Sequence, residues 1–281
     1  MNSIDQSLIE GRFNLSRYQY LCERFEKSPN ITERSSVAGH LRISYAAQDA
    51  SALLLIRESI LRAYAYVKGW FDYRGEIAVD LWVAPTLADL HYMTCLPCED
   101  GFFCAPGNRD GMNVILFVSP LSCQMNADKD RLTGILAHEI THHVVGDISR
   151  ATLFSMKRKE ELDLPMWLEE GLCQLIQSEV HPSLQQSRAE RITKIKKWYG
   201  WEELWNDFSS CDDANTAYLQ AYKEVRTLVE TKGKEEIIRL LYLNRTHYVN
   251  WNDLPSEENK TMEDKYANDW VCPIARFSRS G

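Results

Sequence analysis

Apolar residues recur along the first 120 residues with two different spacings, which predict a small sheet and a long helix. Residues 40–45 and 77–83 alternate between apolar and polar side chains, as strands do. Residues 113–119 form an apolar run of strand length. Apolar positions at helical spacing predict a helix over residues 49–68, with Asp49 as its N-cap and Gly69 at its end.

The remaining segments predict helices and one long loop. Residues 97–110 are rich in Gly, Pro and Cys and are predicted as a loop. Helical spacing continues around Leu132, Ile135, Leu136, Ile140 and Val144. Further helices are predicted over 86–92, 164–180, 187–199, 213–232 and 235–243, and the basic 187–199 segment is expected to present a solvated face. The fold class is therefore α+β, with a small mixed sheet followed by a mostly helical C-terminal half.

Patterning also divides the 281 residues into three parts. Residues 1–37 are interpreted as an N-terminal helical accessory segment. Residues 38–245 carry the sheet and the main helices and form the expected main domain. Residues 246–281 are rich in Asn, Asp and Glu and are interpreted as a C-terminal tail.

The segment Leu136-Ala-His-Glu-Ile-Thr-His-His143 contains the pattern His-Glu-x-x-His. On a helix, residues i and i+4 share a face, so His138 and His142 can bind one metal ion together. Two imidazoles at this spacing are typical of Zn²⁺ sites, with the intervening Glu139 placed to act as a base. The competing interpretation is a surface helix that happens to carry two histidines.

A zinc ion bound by two histidines needs at least one more protein ligand. The predicted 164–180 helix carries Glu169 and Glu170 near its start, after Pro165 and a cap at Asp163. Adjacent helical residues point about 100° apart, so only one of these carboxylates readily faces a metal. The alternative is that both are solvated acids favoured by the helix N-terminus.

These residues resemble the gluzincins, zinc peptidases whose third ligand is a glutamate on the helix after His-Glu-x-x-His. His138–Asp147 and Trp167–Gly171 look like the paired motifs of aminopeptidase-N-like catalytic domains. Residues 38–245 are similar in element order to the small bacterial peptidase-MA-like proteins. The resemblance implies a zincin-like domain, one Zn²⁺ per chain held by His138, His142 and Glu170, and an edge strand at 113–119 that pairs with extended substrate.

The resemblance also implies a reaction. A gluzincin hydrolyses peptide bonds by attack of a zinc-bound water, with the glutamate at the position of Glu139 as general base. A tyrosine on a later helix then stabilises the oxyanion. Tyr218 matches that position, and Tyr222 is the second choice. Residues 148–162 form a charged insertion between the two motifs, interpreted as a loop or short helix that borders the cleft or as a plain connector.

The resemblance implies a peptide or protein substrate, and charge and composition disfavour several other partners. A net charge of −8 disfavours nucleic acid and anionic membranes. No apolar run is long enough to span a membrane or serve as a signal peptide, so the expected location is the cytoplasm. The 8 cysteines are then expected to be reduced thiols, with a structural zinc site around Cys95 and Cys98 as the alternative.

Two other functions remain open at this point. The same zinc chemistry can hydrolyse a non-peptide substrate, and the fold can persist in a non-catalytic interaction protein. The presence of Glu139 disfavours the second, because a zinc scaffold without catalysis needs no base there.

Overall fold

The structure is a computed structural model that describes residues 41–94, 102–109, 112–122, 128–149, 164–201, 203–205, 208, 211–244 and 249. The predicted 1–37 segment lies outside the described residues. So do the predicted tail, apart from Val249, and most of the charged insertion.

The four strands form a mixed sheet in the order β1-β2-β4-β3. Its members are β1 (Leu41–Ser44), β2 (Val79–Ala84), β3 (Phe102–Arg109) and β4 (Met112–Val118). Strands β1, β2 and β4 are mutually parallel, and β3 pairs antiparallel with β4. A small mixed sheet therefore precedes the His-Glu-x-x-His helix, as predicted.

Strand β2 is buried along its whole length, although its sequence predicts one buried and one solvated face. All six residues are buried, because β2 lies between two parallel neighbours and both of its faces are covered. The charged member, Asp80, has a fully buried side chain and accepts a hydrogen bond from Arg42 Nε at 2.9 Å. This ion pair joins β1 to β2 at the register Arg42↔Asp80.

Strand β3 forms one edge of the sheet, which corrects two predictions. Residues 97–110 were expected to form a loop, yet Phe102–Arg109 is a strand whose pairing is irregular between Ala105 and Asn108. Proline within a sheet is confined to edges and bulges. Pro106 lies at this irregularity, and a proline there makes the sequence resemble a loop. Strand β4, expected at the edge, lies between β2 and β3.

The helices before the histidine motif lie close to their predicted positions. A 3-10 helix (Ala47–Ala52) leads into α1 (Leu53–Trp70), so Asp49 lies inside the 3-10 helix and does not cap α1. Helix α2 (Leu87–Thr94) follows Thr86. The Thr86 hydroxyl accepts a hydrogen bond from Asp89 N at 3.1 Å, which confirms the predicted cap.

Two long helices carry the predicted metal ligands. Helix α3 (Lys129–Ser149) contains the histidine motif, and helix α4 (Met166–Val180) contains Glu170. Every apolar residue predicted to face inward on α3 is buried. Helix α3 continues to Ser149, so the first two residues of the predicted insertion are helical.

Three more helices complete the described chain: α5 (Pro182–Ile192), α6 (Ala214–Lys232) and α7 (Lys234–Asn244). Helix α5 begins at Pro182 and ends seven residues before Tyr199, so the prediction of a helix over 187–199 is wrong in position. Asp213 caps α6 by accepting from Asn215 N at 3.0 Å. Gly233 ends it at φ 88°, a conformation that favours glycine.

The chain divides into two compact units. The described residues of the first lie within 41–145 and 172–193, and those of the second lie within 146–171 and from 194 onward. The first contains the sheet and most of α3, and the second contains α6 and α7. Among the described residues, no helix combines the length and apolar character needed to cross a bilayer.

Candidate metal centre

Helix α3 brings the two predicted histidine ligands together. The Nε2 atoms of His138 and His142 lie 3.3 Å apart. Two nitrogens bound to one tetrahedral zinc at about 2.0–2.1 Å are separated by about 3.3–3.4 Å. The two imidazoles therefore already have the mutual spacing that a shared zinc ion requires.

Close packing fixes this part of α3. Leu136, Ala137 and Ile140 are fully buried around the motif. A side chain at Gly134 would place its Cβ 3.1 Å from the backbone oxygen of Gln177 on α4, so glycine permits the close approach of the two helices. His138 follows Gly134 by four residues and shares its face, so this contact helps to direct His138 toward α4.

The surroundings of His138 favour its neutral form. Burial lowers the pKa of His138 well below its usual value, and the nearby charges of His142 and Arg188 lower it further. A metal ligand must be a neutral imidazole, because a protonated ring has no lone pair to donate. Both the position and the protonation state of His138 therefore suit a metal ligand.

Cys173, which the sequence pattern does not mark as a ligand, lies near the two histidines. The ligand atoms of His138, His142 and Cys173 all lie within 4.8 Å of one another. Cys173 is fully buried and is not part of a disulfide. It follows Glu170 by three residues on α4, so the two side chains share a face. That spacing is a sequence signal for Cys173, but it is too common on helices to identify a ligand by itself.

The two candidate carboxylates on α4 differ in burial. Glu170 is 8% exposed, whereas Glu169 is partly exposed. A buried carboxylate is costly unless it is paired or coordinates a metal, so burial favours Glu170 as the functional member. The first turn of the helix is anchored by hydrogen bonds from Met166 N to Trp205 O, at 2.8 Å, and from Trp167 N to Leu204 O, at 3.1 Å.

Arg188 supplies a buried positive charge to the same region. Although the sequence placed Arg188 on a solvated face, it is 6% exposed. Its guanidinium donates to Gln174 O at 2.5 Å, to Gln177 Oε1 at 2.7 Å and to Ser178 Oγ. Arg188 thus ties α5 to α4 one turn beyond Cys173.

Two other motif residues on α3 are also buried. Glu139, the predicted base, is 8% exposed, and His143 is 7% exposed. Both belong to the same helical turn as the histidine pair, and Glu139 immediately follows His138. The structure therefore places Glu139 on the rigid helix that holds both imidazoles.

Helix α6 carries both candidate oxyanion donors. Tyr218 is partly exposed, with its ring 4.9 Å from that of Phe208, whereas Tyr222 is fully buried. A Cβ at Gly171 would lie 2.4 Å from Val225 Cγ2 and 2.5 Å from Ala221 O. Tyr218, Ala221 and Val225 share a face of α6 by their spacing, so this face packs against α4 directly after Glu170.

Comparisons with known proteins do not assign the chain to a family. No protein-family model matches it, and no curated protein sequence matches it significantly. The resemblance to gluzincins remains a prediction from the two motifs, and the geometry of the candidate site is independent of it.

Proposed function

We propose that this chain is a zinc-dependent metallopeptidase built on a zincin-like fold. The observation that carries the proposal is the His138–His142 pair, whose Nε2 atoms lie 3.3 Å apart on a packed helix with Glu139 between them. A peptide or protein is the proposed substrate, and the expected ion is one Zn²⁺ per chain.

The proposed zinc ligands are His138, His142 and Glu170. Glu170 is supported by its burial on α4. Two imidazoles and one carboxylate are a common ligand set for catalytic zinc, and they leave the fourth position open. The donor chemistry therefore fits a hydrolytic centre.

Glu139 is the proposed general base. Zinc at this site would acidify a water and polarise the scissile carbonyl. Glu139 would take the proton from the attacking water and deliver it to the leaving amine. Because α3 holds Glu139 beside His138, the carboxylate needs little reorganisation to reach that water.

Tyr218 is the proposed donor to the oxyanion of the tetrahedral intermediate. Its support is the close approach at Gly171, which sets the Tyr218 face of α6 against the Glu170 end of α4. Tyr218 also retains the partial exposure that contact with substrate requires, whereas the Tyr222 side chain is fully enclosed.

The direct test of the function is Glu139→Gln. We expect this variant to retain zinc and the wild-type melting temperature, while peptide hydrolysis falls by several orders of magnitude because the base is lost without loss of a ligand. Zinc analysis and proteome-wide cleavage profiling of both proteins measure the two effects. Near wild-type cleavage by Glu139→Gln would overturn the assignment of the base.

The matched control is Glu169→Gln. It removes an acid of the same type from a partly exposed position on α4. We expect this control to retain both zinc and activity. If the wild-type protein binds zinc but cleaves no peptide in the profile, the peptidase assignment fails.

A further inference from the structure

Cys173 lies beside the two histidines that are proposed to bind zinc. Its sulfur and the ligand nitrogens of His138 and His142 fall within 4.8 Å of one another. In a tetrahedral site with Zn–S of about 2.3 Å and Zn–N of about 2.0–2.1 Å, sulfur and nitrogen are about 3.5–3.6 Å apart. A rotation of the cysteine side chain can close the remaining difference, which is at most about 1.3 Å.

We propose that Cys173 binds the same metal ion as His138 and His142 and holds the centre in a closed resting state. This inference rests on the proposed function, because it adds a ligand to the proposed zinc. The geometry includes the two elements such a site needs: a paired imidazole set on α3 and a buried thiol on α4. On binding, the thiol loses its proton to solvent and the thiolate sulfur forms the bond to the metal.

The helical spacing explains how this ligand relates to Glu170. Cys173 follows the proposed ligand Glu170 by one turn of α4. With two imidazoles, one carboxylate and one thiolate, the four positions of a tetrahedral zinc are filled. Four protein ligands are typical of a closed site, whereas hydrolysis requires one open position. Release of the Cys173 thiolate therefore opens the centre, and its binding suppresses turnover.

Cobalt substitution tests the ligand without measuring activity. The purified full-length chain is stripped with a chelator and loaded with Co²⁺. We expect visible d–d bands of four-coordinate cobalt and a near-ultraviolet sulfur-to-cobalt charge-transfer band. Cys173→Ser should keep the visible bands and lose the charge-transfer band. Cys211→Ser is the matched control, since Cys211 is also buried and reduced, and it should keep both features.

The possible outcomes separate this inference from the proposed function. Visible cobalt bands without a charge-transfer band in the wild type overturn the thiolate ligand and leave the metal site intact. A charge-transfer band that persists in Cys173→Ser also overturns it. Failure of the wild type to take up cobalt overturns both proposals.

A second variant of Cys173 tests the closed state, and its melting curve shows whether loss of the cysteine affects folding. Cys173→Ala should melt cooperatively, lose the charge-transfer band and cleave peptide severalfold faster than wild type because the fourth position is open. Cys211→Ala should leave turnover unchanged. Unchanged or lower turnover in a folded, zinc-loaded Cys173→Ala protein would overturn the closed resting state.

Discussion

Helices α3 and α4 both carry candidate metal ligands, but those on α3 can be identified from local sequence and those on α4 cannot. On α3, the pattern His138-Glu139-x-x-His142 lies within five residues, and helical spacing places both imidazoles on one face, where their Nε2 atoms lie 3.3 Å apart. On α4, two neighbouring acids and a cysteine are candidates, and burial separates Glu170 and Cys173 from the partly exposed Glu169. Local sequence therefore predicts ligands that share one helix, whereas the choice on a second helix depends on tertiary packing.

Substitution of the two α4 acids tests this distinction most strongly. Glu170→Gln should weaken zinc binding by more than the ~10–100-fold cost of losing an outer-shell partner, because a direct ligand is removed. Peptide hydrolysis should be lost with the metal. Glu169→Gln should leave zinc affinity unchanged. Competition titration with a chromophoric chelator measures both affinities, and equal effects of the two variants would remove Glu170 from the ligand set.

The two tyrosines of α6 differ in burial in the same way as the two acids of α4, but their proposed role is in the reaction and not in metal binding. Tyr218→Phe removes one proposed oxyanion donor, and such losses lower kcat by about 10²–10³-fold. The partly exposed position of Tyr218 leads us to expect little change in folding. Tyr222→Phe should leave kcat within a small factor of wild type. Steady-state kinetics of the zinc-loaded variants measure this, and the reverse ranking would move the role to Tyr222.

Two glycines test the packing that positions α4 and α6. Gly171→Ala would force a Cβ to within 2.5 Å of Ala221 O and Val225 Cγ2, and overpacking of this kind costs about 1–3 kcal/mol. The control is Gly69→Ala on α1, where a new Cβ would have no neighbour within 4 Å. Relief of glycine's entropy in the helix should stabilise that variant by about 0.5–1 kcal/mol. Urea unfolding compares the two, and a Gly171→Ala protein as stable as wild type would contradict the close approach.

The sheet shows how much of the fold can be predicted from pattern and where pattern is insufficient. Strands β1, β2 and β4 follow from alternation and apolar runs, and β3 does not, because Pro106-Gly107 at its irregular pairing resembles a loop. A usable signal was present, since Asp110-Gly111 separates β3 from β4 and this dipeptide is typical of two-residue hairpin turns.

The candidate site also contains some residues that sequence spacing predicts and others that it does not. His138, Glu139 and His142 could be assigned from spacing because one helix supplies all three. Cys173 and Arg188 could not, because a lone cysteine has no local partner motif and a lysine- and arginine-rich segment normally predicts a solvated face. Their positions depend on the packing of α4 against α3 and α5, which places Cys173 near His138 and His142 and lets Arg188 donate to Gln174 O.

Metal analysis of three purified proteins tests whether the His138–His142 pair holds a zinc ion. The wild type should contain about one zinc per chain, and His142→Ala should contain none, because one of the two paired imidazoles is lost. His143→Asn changes the adjacent histidine, which points about 100° away around the helix, and should retain zinc. Full zinc occupancy in folded His142→Ala would contradict the account.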